Sequence, residues 1–228
     1  MSQTQRIFIT GGTGYIGSRL IPLLIARKYA VTALARQASA QRLAPGCIPI
    51  VGDALDGNTY QKAVSSADTF IQLIGVHHPS PAKARQFVEV DLKSGREAVR
   101  VARESGVRHF IYLSVAHPAP VMQAYAAVRV EVEQNIAQSG LPATILRPWY
   151  VLGPGHRWPY ALIPFYKIAE TLPATREGAI RLGLVTIRHM LGALLHAVAN
   201  PASGVRVLEP KEIRSESEAG WRQPSSAI

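Results

Sequence analysis

The stretch Arg6-Ile7-Phe8-Ile9-Thr10-Gly11-Gly12-Thr13-Gly14-Tyr15-Ile16-Gly17 decides how the rest of the chain is read. Arg6–Thr10 is an apolar run of strand length that ends in glycines. Tyr15–Lys28 then repeats apolar residues at helical spacing, with Ile16, Leu20, Leu23 and Leu24 on one face. Pro22 inside that helix should bend it or remove one hydrogen bond. Glycines at a strand-to-helix junction let the backbone approach a pyrophosphate. The helix behind them offers unpaired N–H groups and the positive end of its dipole. Gly11, Thr13, Gly14, Tyr15, Ile16 and Gly17 are therefore the candidate phosphate-binding residues.

Outward from this loop, short apolar runs alternate with longer helical patterns. Strands are expected at Ala30–Ala35, Ile48–Val51, Thr69–Ile74, Arg108–Leu113 and Ala143–Leu146. Helices are expected at Asn58–Ser65, at Ala82–Ser105 before Gly106, and at Ala124–Ser139 before Gly140. Such alternation implies a parallel sheet with right-handed crossovers and helices on both faces, an α/β Rossmann-type doubly wound fold over residues 1–148. After Pro148 the texture becomes irregular and aromatic, with Trp149, Tyr150, His156, Trp158 and Tyr160. These rings suit either an apolar substrate wall or the core of a small cap. A short helix at Ile163–Glu170, a helix at Thr186–Ala199 and a strand at Val205–Leu208 follow. Residues 149–214 thus read as a reduced C-terminal cap with returning core elements rather than an independent domain. The Ser/Glu/Gln-rich residues 215–228 read as a flexible tail.

A dinucleotide site that takes NAD usually places an acid about 20 residues after the glycines, on the ribose 2′-hydroxyl. No acid occurs between Arg19 and Asp53, and Arg36 stands at the end of the second strand instead. A guanidinium there can pair with a 2′-phosphate, so NADP(H) is preferred over NAD(H).

The 228 residues are 47% hydrophobic and 18% charged, which fits a chain with a real core and excludes a disordered one. A single cysteine, Cys47, excludes a disulfide scaffold or a multi-cysteine metal site and suits the reducing cytoplasm. Residues 1–10 lack the apolar run of a signal peptide, and no segment approaches the roughly 18 apolar residues of a membrane span. The net charge of +10 comes from arginines spread along the chain. It reads as a solvated basic surface ahead of a nucleic-acid site. His77, His78 and His117 lie in the loops after the fourth and fifth strands. With no third ligand or supporting acid in view, they read as pocket lining and not as a metal site.

Thr10–Gly17, Gly52-Asp53, Tyr112-Leu113-Ser114, Tyr125 with Arg129, and Ile145-Leu146-Arg147-Pro148 together resemble the extended and atypical short-chain dehydrogenase/reductase superfamily. The likeness runs from about Arg6 to Arg214. It is nearest to nucleoside-diphosphate-sugar epimerase-like and nitrogen-metabolite-repressor-like NAD(P)-binding proteins. The resemblance implies that Asp53, next to Ala54, meets the adenine. It implies that Ile74 and Gly75 line the dinucleotide path and that Pro148 passes close to the nicotinamide. In this superfamily a tyrosine is the general acid/base, a lysine four residues later lowers its pKa and holds the ribose, and a serine binds the substrate oxygen. Ser114 and Tyr125 match, but Arg129 occupies the lysine position. Arginine keeps the charge and changes the geometry. Two readings follow. One is an NADP-dependent reductase or epimerase-like enzyme acting on a small carbonyl or sugar-like substrate, with His77, His117, Trp149 and Tyr150 in the substrate pocket. The other is a non-catalytic NADP(H)-binding redox sensor that signals to a protein partner. Pairing into a homodimer is compatible with both.

Overall fold

The computed structural model describes residues 4–77, 79–118, 122–154 and 183–222. Seven strands form one all-parallel sheet: β1 (Arg6–Thr10), β2 (Ala30–Ala35), β3 (Ile48–Val51), β4 (Thr69–Gln72), β5 (His109–Leu113), β6 (Ala143–Leu146) and β9 (Val205–Leu208). Their order is β3-β2-β1-β4-β5-β6-β9. This is the doubly wound arrangement, with its switch point between β1 and β4. A separate two-stranded parallel ribbon pairs β7 (Val151–Leu152) with β8 (Val185–Thr186).

The alternation along β1 shows why both faces need helices. Ile7 and Ile9 pack on one side, with α1 (Gly17–Ala26), α6 (Ile187–Ala199) and Ile213 of α7 (Pro210–Arg222). Phe8 turns to the other side, with α2 (Gln61–Val64), α4 (Lys93–Glu104) and α5 (Gln123–Ser139). There Phe8, Phe70 and Phe110 of neighbouring strands stack in sequence, with ring centroids 5.1 and 5.3 Å apart. α1 contains Pro22, as its sequence requires. α6 opens with a capping box. Thr186 Oγ1 accepts from the His189 N–H at 3.1 Å, and the Thr186 N–H donates to His189 Nδ1 at 3.3 Å.

The long helix expected at 82–105 is broken into pieces: a single turn α3 (Ala84–Gln86), a wide π turn (Phe87–Leu92), and α4. The extra residue in the π turn brings the buried Asp91 inward, and such turns often mark functional sites. Asn58–Ser65 shortens to a 3₁₀ turn (Gly57–Thr59) and α2. The expected helix at Ile163–Glu170 and the residues His156, Trp158 and Tyr160 lie outside the described residues, as does His78.

The flexible tail expected from 215 needs correction. Residues 215–222 are the second half of α7, and Pro210, Ile213, Ser217 and Gly220 are its buried face. Beyond Ile213 small residues mark this face, because α7 crosses α6 almost backbone to backbone. A Cβ on Gly220 would overlap the Gly192 carbonyl oxygen, and one on Gly192 would come within 2.5 Å of the Ser217 oxygen. Trp221 closes the contact by donating its indole N–H to the Arg188 carbonyl at 3.1 Å. Replacing Gly220 with alanine should force the helices apart and lower stability by about 1–3 kcal/mol, the usual scale of overpacking. An unchanged urea midpoint for that variant would contradict the seating of α7.

Candidate functional site

The site lies at the carboxyl edge of the sheet, over the switch point, where β1 and β4 release their following loops in opposite directions. Gly11 has φ 74°, and a Cβ there would sit 2.9 Å from the Leu73 carbonyl carbon. The chain can turn this tightly against β4 only with glycine. The Gly14 N–H donates to the Gly11 carbonyl at 3.0 Å, which closes the turn. A Cβ on Gly17 would overlap that same oxygen and lie 2.7 Å from Gly12 Cα. The first turn of α1 therefore comes up against the loop, and its N–H groups turn back onto it: Ser18 donates to the Gly14 carbonyl at 3.0 Å, and Arg19 and Leu20 donate to the Ile16 carbonyl at 3.1 and 2.9 Å. Close backbone approach at the positive end of the α1 dipole is what a pyrophosphate requires, so these residues fit a dinucleotide.

Two cavities flank the loop and share Gly11, Gly14, Leu73 and Gly75 in their walls. The first, of about 380 Å³, is also lined by Thr13, Arg36, Asp53, Ala54 and Ile74. Arg36 is exposed there and makes no ion pair among the described residues. Asp53 Oδ1 accepts the Leu55 N–H at 2.9 Å, and the Asp53 N–H donates to Thr59 Oγ1 at 3.0 Å, which fixes the turn after β3. The second cavity, of about 640 Å³, brings together Tyr15, Ile16, Gly17, Ser114, Tyr125 and Arg129. Pro148, Trp149, Tyr150 and His77 complete its rim beside apolar Val76, Leu113, Val115 and Val151. Both volumes are those of ordinary small-molecule sites.

Tyr125 begins the inward face of α5, half-buried, with its ring 5.0 Å from that of Phe87. The Arg129 guanidinium lies 5.1 Å from the Tyr125 ring centroid. Arg129 itself is buried and heavily engaged. Nη1 donates to the Leu113 carbonyl at 2.9 Å and to the Tyr112 hydroxyl at 3.3 Å. Nη2 donates to the Ile74 carbonyl at 3.3 Å and to the Asp91 carboxylate. Burial opposes its charge, but the Tyr112, Tyr125 and Asp91 oxygens more than offset that and raise its pKa. All four Nη protons are thereby used, and only Nε–H lacks a partner among the described residues. The guanidinium expected as a ribose clamp braces the loops after β4 and β5, and its Nε–H is itself buried. The same brace explains Gly75, where a Cβ would overlap Arg129 Nη2. Tyr112, fully buried beneath the brace, is pushed up to about 12 by burial.

Ser114 departs from its expected role as hydrogen-bond donor to the substrate. Its hydroxyl donates to the buried Glu133 carboxylate. Arg147 also holds that carboxylate through both Nε, at 3.1 Å, and Nη2. Arg147 Nη1 donates to Glu209 at 2.8 Å. Burial works against the Arg147 charge, but the two carboxylates raise its pKa. His117 is displaced from the expected pocket lining: its Nε2 sits 3.3 Å from Glu133 Oε2, away from the cavity wall.

Residues 11–159 match the pattern of the NAD(P)H-binding family. The chain belongs to the NAD(P)H-binding family. This NAD(P)H-binding protein is 28% identical to the 3-diazoavenalumate denitrifying reductase of a Streptomyces species, over 88% of the chain and 74% of that relative. It is 25% identical to the 4-hydroxy-2-methyl-3-oxo-4-farnesyl-3,4-dihydroquinoline-1-oxide ketoreductase of Stigmatella aurantiaca over 65% of the chain, a match that spans 51% of that relative's length. A short-chain dehydrogenase/reductase superfamily protein of Agrobacterium tumefaciens, solved with bound NAD, shares the fold. Its TM-score is 0.65 at 18% identity, covering 90% of this chain and 77% of that one. Family and fold agree with the resemblance carried by Thr10–Gly17.

Two residues beside this NAD(P)H-binding protein's site, Asp91 and Glu133, escaped the sequence reading, and Arg147 entered it only within the run Ile145–Pro148. Glu133 had a usable signal, since Tyr125, Arg129 and Glu133 repeat at four-residue intervals and share one face of a helix. Asp91 had a weaker one, as one of two acids, with Glu89, interleaved with the apolar residues of Phe87–Leu92. Among the described residues no group of acids, histidines or cysteines could hold a metal ion, and no helix is long and apolar enough to cross a membrane.

Proposed function

We propose that this protein is an NADPH-dependent reductase of a small carbonyl compound, with Tyr125 as its proton donor. The observation that carries the reading is the placement of Tyr125 and Arg129 in one cavity with the glycine loop and Pro148. NADPH, held along the two cavities by the loop and α1, supplies the hydride. Tyr125 gives its phenolic proton to the carbonyl oxygen as the alcohol forms. The Arg129 guanidinium, 5.1 Å from the centroid of its ring, holds that ring in place. The apolar wall of Val76, Leu113, Val115, Trp149 and Tyr150 suits a carbonyl on an apolar frame better than a sugar. Two relatives that are themselves a reductase and a ketoreductase support the same class. The rival, a non-catalytic NADP(H) sensor acting on a protein partner, draws support from Arg129, whose Nη protons are all taken within the chain. The single Cys47 supports a cytoplasmic setting for either.

The preference for NADPH rests on Arg36, which lines the first cavity with no acid at the end of β2 to receive a 2′-hydroxyl. Calorimetric titration should show NADH binding at least about tenfold more weakly than NADPH, a gap of about 1.4 kcal/mol. Arg36→Ala should remove about 1.5–3 kcal/mol of NADPH affinity, the scale of a charged hydrogen bond, and leave NADH nearly unchanged. Equal losses for both dinucleotides would refute the assignment. Binding of neither would overturn the proposed function.

A further inference from the structure

A serine hydroxyl carries one proton and two lone pairs. Glu133 is held by two Arg147 nitrogens and is acceptor-only, so the contact with Ser114 places the serine proton on the Glu133 side. Glu133 is buried in α5, and Arg147, at the end of β6, is itself anchored on Glu209. The arrangement is therefore braced from three elements of the fold. Ser114 still lines the second cavity, and it faces that cavity with lone pairs. A reacting carbonyl oxygen, itself only an acceptor, finds no donor in the Ser114 hydroxyl.

We propose that Glu133 is a positioning residue that makes Ser114 a hydrogen-bond acceptor, so that the site selects carbonyl substrates bearing their own donor, such as a hydroxyl on the carbon next to the carbonyl. This rests on the reductase reading and names its substrate class. Tyr125 serves the carbonyl oxygen, and Ser114 takes the neighbouring hydroxyl. A site built around a buried polar group discriminates strongly against the analogue that leaves it unpaired.

The test uses α-hydroxyacetophenone and acetophenone, which differ by that hydroxyl alone. Each is titrated calorimetrically into the full-length protein saturated with NADPH, and NADPH consumption is followed in parallel. The hydroxyketone should bind at least about tenfold more tightly. In Glu133→Gln the side-chain amide can donate to the Ser114 oxygen and turn the serine proton into the cavity, so the preference should fall to within about twofold. Because that change also weakens the hold on Arg147, Ser114→Ala serves as the second variant. It leaves the Glu133–Arg147 pair intact and should erase the preference equally. General damage to the fold would lower both affinities and preserve their ratio. Equal binding of the two ketones by the unaltered protein, binding of neither, or a preference that survives in both variants would overturn the inference while the cofactor reading stands. Failure of the protein to bind NADPH would overturn that reading, and this inference with it.

Discussion

Replacing Arg129 with methionine is expected to destabilise the protein by about 3–5 kcal/mol, the usual consequence of stranding one partner of a buried ion pair. Asp91 is fully buried, and without Arg129 its carboxylate loses its cationic partner and keeps the Val76 N–H at 3.1 Å. The Ile74 and Leu113 carbonyls lose a donor at the same time. Urea unfolding should show a lower midpoint at unchanged slope. Removing both charges, in Arg129→Met with Asp91→Leu, should recover most of the loss, because no buried carboxylate is then left alone. A single-variant loss below about 1 kcal/mol would show that the pair does not brace the site. Arg129→Lys should fall between these cases. Three donors on a flexible stem can reach Asp91, but they cannot also serve Tyr112 and two carbonyls.

The second large effect is on turnover. Tyr125→Phe should lower the rate of ketone reduction by about 10²–10⁴-fold, the usual contribution of a positioned general acid. NADPH affinity should stay within a few-fold. The substitution keeps the ring, and therefore the contacts with Phe87 and with the Arg129 guanidinium. Rates are to be compared at saturating NADPH on the better of the two acetophenones. Turnover equal to that of the unaltered protein would remove Tyr125 from the chemistry.

What was legible in the sequence followed from period and punctuation. The β1–loop–α1 unit announced itself because glycine is the only residue that fits against Leu73 and Gly12. The strands were legible as apolar runs because both faces of a parallel sheet are covered. Elements whose partners are distant were harder to see. α7 hides its contact in Ser217 and Gly220, where a close helix crossing demands absence of side chain, a pattern that hydrophobic periodicity does not register. The π turn at Phe87–Leu92 breaks a helix that local propensity would run straight through. The residue types at positions 114, 125 and 129 were evident, but their hydrogen bonds were not. Those depend on Glu133 and Asp91, each well separated in sequence from the group it holds.

The small ribbon of β7 and β8 has a consequence for how such a protein diversifies. Val151 pairs with Val185 and Leu152 with Thr186, so the chain leaves the body and returns to it through adjacent rungs of one ladder. Whatever is threaded between those rungs has both ends fixed. Each doubling of a flexible insert's length then carries an entropic penalty of only about 0.6 kcal/mol. The length of chain between those rungs can therefore change while Val151, Leu152, Val185 and Thr186 keep their register.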